Sequence, residues 1–372
     1  MKRWPKVALG EVFHIEKGKI GIKAATAGRY PLVTTAQAFA THIEAHFSGD
    51  AVCIPLISAT GHGHASLKRL HHIRGDFAVG SILCACIAKD SSAVSARFVY
   101  YYLSATMEQK LIPLMQGTAN MSMRVDDIRE VLIPLPSLAE QDAIVARLDV
   151  LDEKTRQVAE CLDAVERDAE RLLIVCFRDA IADAPSRMMA EIAPIVRREQ
   201  MIDLDGGYPE LGIRSFGNGT FHKPALSGSD VGTKRLFRIE PGDLLFSNVF
   251  AWEGAIAVAQ QEDAGRFGSH RFMSCVVNEE FAFAEFLRYY FLTDEGINRI
   301  RDASPGGAGR NRTLGVEKLM NIDVPTPSLV VQRHFCQLKQ QQVSLKRKHT
   351  AIREANAALI PATLERIFAH MD

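Results

Sequence analysis

Hydrophobic positions along this chain follow two different periods. Short apolar runs predict strands: Ala51-Val52-Cys53-Ile54, residues 81–87 and residues 272–277. The aromatic-rich stretches 98–107 and 283–298 predict helices packed on them. A second pattern is a 4–3 spacing through Ile144, Leu148, Leu151, Thr155, Val158, Leu162, Val165, Ala169, Leu172 and Cys176, with no Pro or Gly inside it before Pro185. It predicts one helix of ~40 residues, on the order of 60 Å long. Phe335, Leu338, Gln342, Leu345, His349, Ile352, Asn356 and Leu359 repeat that spacing in a more polar form, with Pro361 near the end. An apolar seam of this length needs a partner, and each helix is the natural partner of the other.

The chain also repeats itself. Residues 134–141 read Pro-Leu-Pro-Ser-Leu-Ala-Glu-Gln and residues 325–332 read Pro-Thr-Pro-Ser-Leu-Val-Val-Gln, so P-x-P-S-L-x-x-Q recurs at about half the length of the molecule. Three weaker echoes keep the same order: Arg29-Tyr30-Pro31 with Gly207-Tyr208-Pro209, residues 98–104 with 286–292, and Gly117 to Asn120 with Gly309 to Asn311. Their offsets drift upward along the chain, as loop insertions in a duplicated module would make them do. Each proline motif predicts a strand-to-helix junction, since two prolines keep the backbone extended and end the ladder. Ser137 with Glu140 three residues on forms a capping box; the second copy keeps Ser328 but has Val331 at the box position, which predicts a weaker start by some tenths of a kcal/mol.

These patterns predict an α+β fold. Two mixed α/β modules, 1–136 and 186–328, are each followed by a long helix, 137–185 and 329–372. The helices are expected to pair as an antiparallel coiled coil with pseudo-two-fold symmetry. Charge fits that pairing. The 372 residues carry 44 basic and 44 acidic side chains, a net charge of zero. By segment the sum divides into +5, −6, −3 and +4 over first module, first helix, second module and second helix. Opposite signs on the two helices favour their association with each other.

The segment charges also reopen a nucleic-acid partner, which a net charge of zero would otherwise argue against. In the first module Lys17, Lys19, Lys68, Arg69, Asn120 and Arg124 are the candidate DNA contacts; in the second they are Arg214, Asn248, Arg310, Asn311 and Arg312. Arg299, Arg301, Arg310 and Arg312 fall within fourteen residues whose only acid is Asp302. Guanidinium groups on a Gly-rich loop suit bidentate contacts to phosphate or guanine.

Other chemistry is not indicated. Gly18-Lys19 is followed by Ile20 with Phe13 at the first glycine position, so there is no phosphate cradle; no Gly-x-Ser-x-Gly elbow or His-Glu-x-x-His occurs. His62, His64, His71 and His72 lie near Cys53, Cys84 and Cys86 in sequence, but Cys-x-Cys is not the usual zinc spacing, and no metal is expected. Seven cysteines without framework spacing predict reduced thiols in a cytoplasm. No apolar run reaches the roughly 18 residues of a membrane span.

Taken with the repeat, certain residues resemble the specificity subunit of Type I restriction–modification systems. They are Leu9-Gly10-Glu11-Val12, the segment Ile133 to Gln141, Gly242-Asp243-Leu244-Leu245-Phe246-Ser247, and Val324 to Gln332. The resemblance implies a non-catalytic protein whose two target-recognition domains each read half of an asymmetric bipartite DNA site. It implies that the helices space the readers and dock adenine methyltransferase (M) subunits, with a restriction (R) subunit joining the larger complex. No cofactor is implied for this chain; S-adenosylmethionine belongs to the methyltransferase partner. A coiled-coil adaptor with only non-specific DNA binding is the competing expectation.

Overall fold

The computed structural model describes residues 4–21, 24–60, 64–118, 120–306 and 312–368. The chain forms two compact units, Met1–Asp163 with His349–Asp372, and Ala164–Lys348. The divisions fall inside both long helices, so each unit owns one module and half of each helix. Among the described residues no helix is long and apolar enough to cross a membrane.

Unit 1 opens with β1 (Lys6–Ala8) and the single turn α1 (Leu9–Val12). A six-stranded sheet follows, built from β2 (Phe13–Lys17), β3 (Tyr30–Val33), β4 (Ala40–His42), β5 (Phe47–Pro55), β6 (His71–Val79) and β7 (Leu83–Ala88). Its order is β2-β7-β5-β6-β3-β4, antiparallel except where β3 runs parallel to β6. The first and fourth strands also meet at their ends, where Lys19 and Ile20 N–H both donate to Val79 O at 3.1 and 3.2 Å. Next come α2 (Ala96–Ala105), α3 (Met107–Lys110), α4 (Val125–Arg129) and β8 (Leu132–Pro134), which returns to pair with β1 in the register Val7↔Ile133. The helix α5 (Leu138–Ile181) then begins.

The α2 helix forms because Ser95 caps Phe98 N–H and the apolar side chains lie on one face, with Phe98, Val99, Tyr102 and Leu103 buried. That face packs on the sheet through Val52, Ile54, Cys84 and Cys86. Leu148 of α5 and Leu364 and Phe368 of the C-terminal helix close the core from the other side. Each fully buried Leu or Phe here contributes about 1.5–3 kcal/mol. Within this unit the two helix segments run antiparallel: Asn356 Nδ2 donates to Thr155 O at 2.8 Å and Arg353 pairs with Asp163 at 2.8 Å.

Unit 2 rebuilds the same frame. It comprises β9 (Ser186–Met188), α6 (Met189–Ile192), β10 (Ile195–Val196), β11 (Glu199–Gln200), β12 (Gly207–Ile213), β13 (Thr220–Ser227), α7 (Gly228–Val231), β14 (Leu236–Arg238) and β15 (Leu244–Ser247). There follow β16 (Ile256–Val258), β17 (Phe267–Ser269), β18 (Phe272–Cys275), α8 (Ala284–Leu292), α9 (Asp294–Asp302), α10 (Val316–Met320), β19 (Asp323–Pro325) and the first half of α11 (Leu329–Phe368). The antiparallel sheet β10-β18-β15-β16 has the order of β2-β7-β5-β6, and β9 pairs β19 as β1 pairs β8. A second sheet, β11-β14-β17-β12-β13, is larger than its counterpart around β3 and β4. Phe177 of α5 and Phe335 of α11 meet at 4.9 Å between ring centroids and pack on Phe286 of α8.

Two expectations change. The stretch 283–298 is not one helix: Thr293 ends α8 and caps α9, its hydroxyl accepting from Gly296 N–H. The helix seam is also displaced. Leu148, Leu162 and Phe335 are buried, and Ile144, Leu151, Leu338 and Leu345 half-buried, but Val158, Val165, Leu172, Ile352 and Leu359 are exposed. Ala159, Glu166 and Leu173 take the inward positions on α5, and Arg353 and Ile360 on α11. The cause is the α-helix period of 3.6, which drifts about 20° per heptad from a strict 3.5-residue repeat.

Candidate nucleic-acid interface

The repeated proline motif turns out to build a joint. Gln141 is fully buried, and its Oε1 accepts from Ser95 N–H at 2.8 Å while its Nε2 donates to Ala93 O and Pro136 O at 3.1 and 2.9 Å. Gln332 is equally buried and does the same with Phe283 N–H, Phe281 O and Pro327 O at 3.0, 2.8 and 2.8 Å. Each glutamine thus satisfies the first N–H of the aromatic helix and ties it to the start of a long helix. Ahead of Gln141, Ser137 and Glu140 close the expected capping box, with Ser137 N–H donating to Glu140 Oε2 at 3.2 Å and Glu140 N–H to Ser137 Oγ at 3.4 Å.

The Gly242-Asp243 motif is structural as well. Asp243 is buried and accepts two bonds from Arg198, at 2.6 and 3.0 Å, and one from Glu240 N–H at 3.0 Å. The bidentate bond to Asp243 raises the Arg198 pKa further above its ordinary range.

In unit 1 the candidate contacts occupy several loops. Lys17 ends β2, exposed, and Lys19 lies 5.3 Å from the centroid of the Phe47 ring. Lys68 and Arg69 lead into β6, Lys68 exposed and Arg69 half-buried. Asn120 and Arg124 are exposed, Arg124 at the N-cap of α4. Hydrogen bonds from Ser58 N–H to Met121 O at 2.8 Å and from Ala59 N–H to Ser66 O at 2.9 Å tie the loop of Asn120 to the one that leads to Lys68. Beside them His72 meets Asp50 at 2.7 Å. Burial first, and Arg69 second, hold the His71 imidazole below its ordinary pKa, against an opposing backbone hydrogen bond at Thr34.

In unit 2 the candidates converge. Arg214 stands at the start of the β12–β13 turn, bonded to Thr220 O, with its guanidinium 5.0 Å from the Phe221 centroid. The hairpin is joined to the 250–254 turn, for Phe216 N–H donates to Glu253 O and Gly217 N–H to Gly254 O, both at 2.8 Å. Trp252 in that turn donates to Val249 O at 3.0 Å and carries the Arg312 guanidinium 5.6 Å from its centroid. Leu314 N–H, two residues after Arg312, donates to Asn248 O at 2.7 Å. The loops that carry Arg214, Asn248 and Arg312 are therefore joined to one another. Arg310 and Asn311 lie outside the described residues.

Sequence reasoning missed the two aromatic side chains of these loops, Phe216 and Trp252. Trp252 is one of only two tryptophans in the chain, and Phe216 stands before Gly-Asn-Gly. Both signals were visible, but neither points to a binding surface until the hairpin and the turn are brought together. The arrangement offers guanidinium donors and aromatic faces on loops tied together by backbone hydrogen bonds, a combination suited to base edges and phosphates.

Residues 1–167 match the model of the Type I restriction modification DNA specificity domain. Of curated proteins, the Type I restriction enzyme EcoDI specificity subunit of Escherichia coli is 25% identical over 183 residues, 48% of this chain and 36% of that one. A Mycoplasma pneumoniae protein named as a type I specificity subunit is 25% identical over 164 residues, 43% of this chain and 42% of its own. The matched stretch thus spans about two fifths of those relatives' length. The fold likeness runs further. The HsdS subunit of Thermoanaerobacter tengcongensis superimposes with a TM-score of 0.59 at 19% identity, covering 99% of this chain and 97% of that one. A chain solved in work on assembly of the type I R–M system gives 0.62 at 18% identity, covering 100% and 98%.

Proposed function

We propose that this chain is a specificity subunit of a Type I restriction–modification complex, non-catalytic itself, reading an asymmetric two-part DNA site with one unit per half. The observation that carries the reading is the doubled frame: two units share sheet order, terminal strand pair and buried glutamine joint, yet present different loops. A frame repeated with divergent loops suits two readers of two different sequences. The specificity-domain match over residues 1–167 and the whole-length fold likeness support it.

In this reading Lys17, Lys19, Lys68, Arg69, Asn120 and Arg124 contact one half-site, and Arg214, Asn248, Arg310, Asn311 and Arg312 the other. The long helices dock methyltransferase subunits, which bring S-adenosylmethionine, and a restriction subunit joins them. The modules 1–136 and 186–328 carry +5 and −3 within a chain of zero net charge, which leaves much of the phosphate neutralisation to those partners, so DNA binding by the chain alone is weak and strongly salt-dependent. The test is to sequence methylated adenines in the genomic DNA of a cytoplasm carrying this chain with its methyltransferase. One bipartite asymmetric motif is expected, lost when the chain is deleted. Methylation that persists unchanged without the chain overturns the proposal.

A further inference from the structure

The β12–β13 hairpin turns through Ser215, Phe216, Gly217 and Asn218. Phe216 and Gly217 have φ of 60° and 68°, and Asn218 N–H closes the turn on Ser215 O at 3.4 Å. Two successive positive φ belong to the type I′ turn, whose central pair favours Asn-Gly, Asp-Gly or Gly-Gly. Phenylalanine is a poor first residue there, because a left-handed backbone crowds its Cβ. Among the described residues no other non-glycine adopts a positive φ. Burial does not compensate: Phe216 is 80% exposed, more than any other aromatic residue described. Neither local conformation nor packing explains the side chain, and strain of this kind concentrates at functional positions.

The surroundings indicate the ligand. The turn is anchored, with Arg288 Nη2 donating to Gly217 O at 2.7 Å in addition to the two bonds to the 250–254 turn. A cleft of about 480 Å³ beside the ring is lined in part by Trp252 and Arg301. Arg312 lies over Trp252, and Arg214 over Phe221 beside the turn. The acid in the cleft, Glu253, is engaged by Ser215 Oγ at 3.3 Å. An exposed ring that shares a cleft with Arg301, with Arg214 and Arg312 on the adjoining loops, suits a polyanion that also offers flat apolar faces, which is DNA. The matching hairpin of unit 1, β3–β4, starts with the same Tyr-Pro pair and also ends in an exposed ring, Phe39, 41% exposed and 5.4 Å from His71.

We propose that Phe216, with Phe39 as its counterpart, is an aromatic wedge that packs at a base step of the bound duplex and helps determine the sequence of its half-site. This rests on the specificity-subunit reading and adds a residue role to it. The test is a binding selection from a randomised 40-base-pair duplex library at low ionic strength, using the full chain in complex with its methyltransferase subunits, the chain being wild type, Phe216→Ala, Phe216→Trp or Phe216→Gly. Wild type should enrich a bipartite motif. Phe216→Ala should lose about 5- to 150-fold affinity for the selected duplex and relax one half of the motif, while Phe216→Trp stays within about 3-fold of wild type. Phe216→Gly should bind as poorly as Phe216→Ala with a melting temperature unchanged or raised, since glycine suits the turn. A 2-aminopurine at the relaxed step should brighten with wild type and stay dark with Phe216→Ala. If wild type enriches a motif and Phe216→Ala enriches the same one with equal affinity, the wedge is overturned and the specificity reading stands. If wild type enriches none, both fall.

Discussion

The two glutamine joints and the two hairpin tips make opposite comparisons. Gln141 and Gln332 are fully buried and each makes three hydrogen bonds to equivalent backbone atoms of its own unit. The hairpin tips share only a Tyr-Pro start and an exposed ring; one runs Thr-Thr-Ala-Gln-Ala-Phe and the other Arg-Ser-Phe-Gly-Asn-Gly. A buried polar group has one way to be satisfied, so the joint kept its residue type while the two copies diverged elsewhere. An exposed tip answers to whatever it touches, and the two tips touch different things in the proposed function.

That contrast can be broken in four ways. The largest effect should come from the joints: Gln141→Leu and Gln332→Leu each strand a buried N–H and two carbonyls, at about 3–5 kcal/mol. Calorimetry on each variant should show similar losses; a large loss at one joint and none at the other would end their equivalence. Next, Arg312→Ala should cost about 1–3 kcal/mol of DNA affinity with relaxation confined to one half-site, whereas a uniform loss across sequences would make it a phosphate contact. Smaller again is the capping difference. Glu140→Ala should destabilise by about 1 kcal/mol, and Val331→Glu, which completes the box after Ser328, should stabilise by about 0.5 kcal/mol, both read by chemical denaturation.

The smallest test is pH. His71 has its folded pKa held below the ordinary 6.5, so its neutral form is the one that fits unit 1. The stability this contributes is complete above pH 6.5 and is lost as pH falls through 6.5 towards the lowered folded value, because the unfolded chain takes up the proton first. Unit 1 should therefore soften in mild acid, and His71→Phe should remove that part of the slope; an unchanged slope would exclude His71 as its source.

Much of the architecture was legible because it is written in local periods. The 4–3 apolar spacing located both long helices to within a few residues, and P-x-P-S-L-x-x-Q marked both strand-to-helix junctions. The seam phase was not legible: Val158, Val165 and Leu172 satisfy a 3.5 repeat, but a helix of 3.6 residues per turn carries them outward and Leu173 and Phe177 inward. Nor was the purpose of the motif's glutamine, since its partners Ala93, Ser95, Phe281 and Phe283 lie some fifty residues away in sequence.

By itself, then, the sequence determined the duplication, the helices and the types of residue available to contact DNA, because these depend on spacing and composition. Tertiary structure alone decided which of the loops that carry those residues are joined. The loops of Arg214, Asn248, Trp252 and Arg312 are joined by backbone hydrogen bonds between a hairpin, a turn and the segment that leads into α10, and by the Arg312 guanidinium over the Trp252 ring. Such non-local pairing leaves no period in the chain. The same holds for Phe216, an unremarked aromatic in the sequence whose left-handed backbone and exposure appear only once the hairpin has folded.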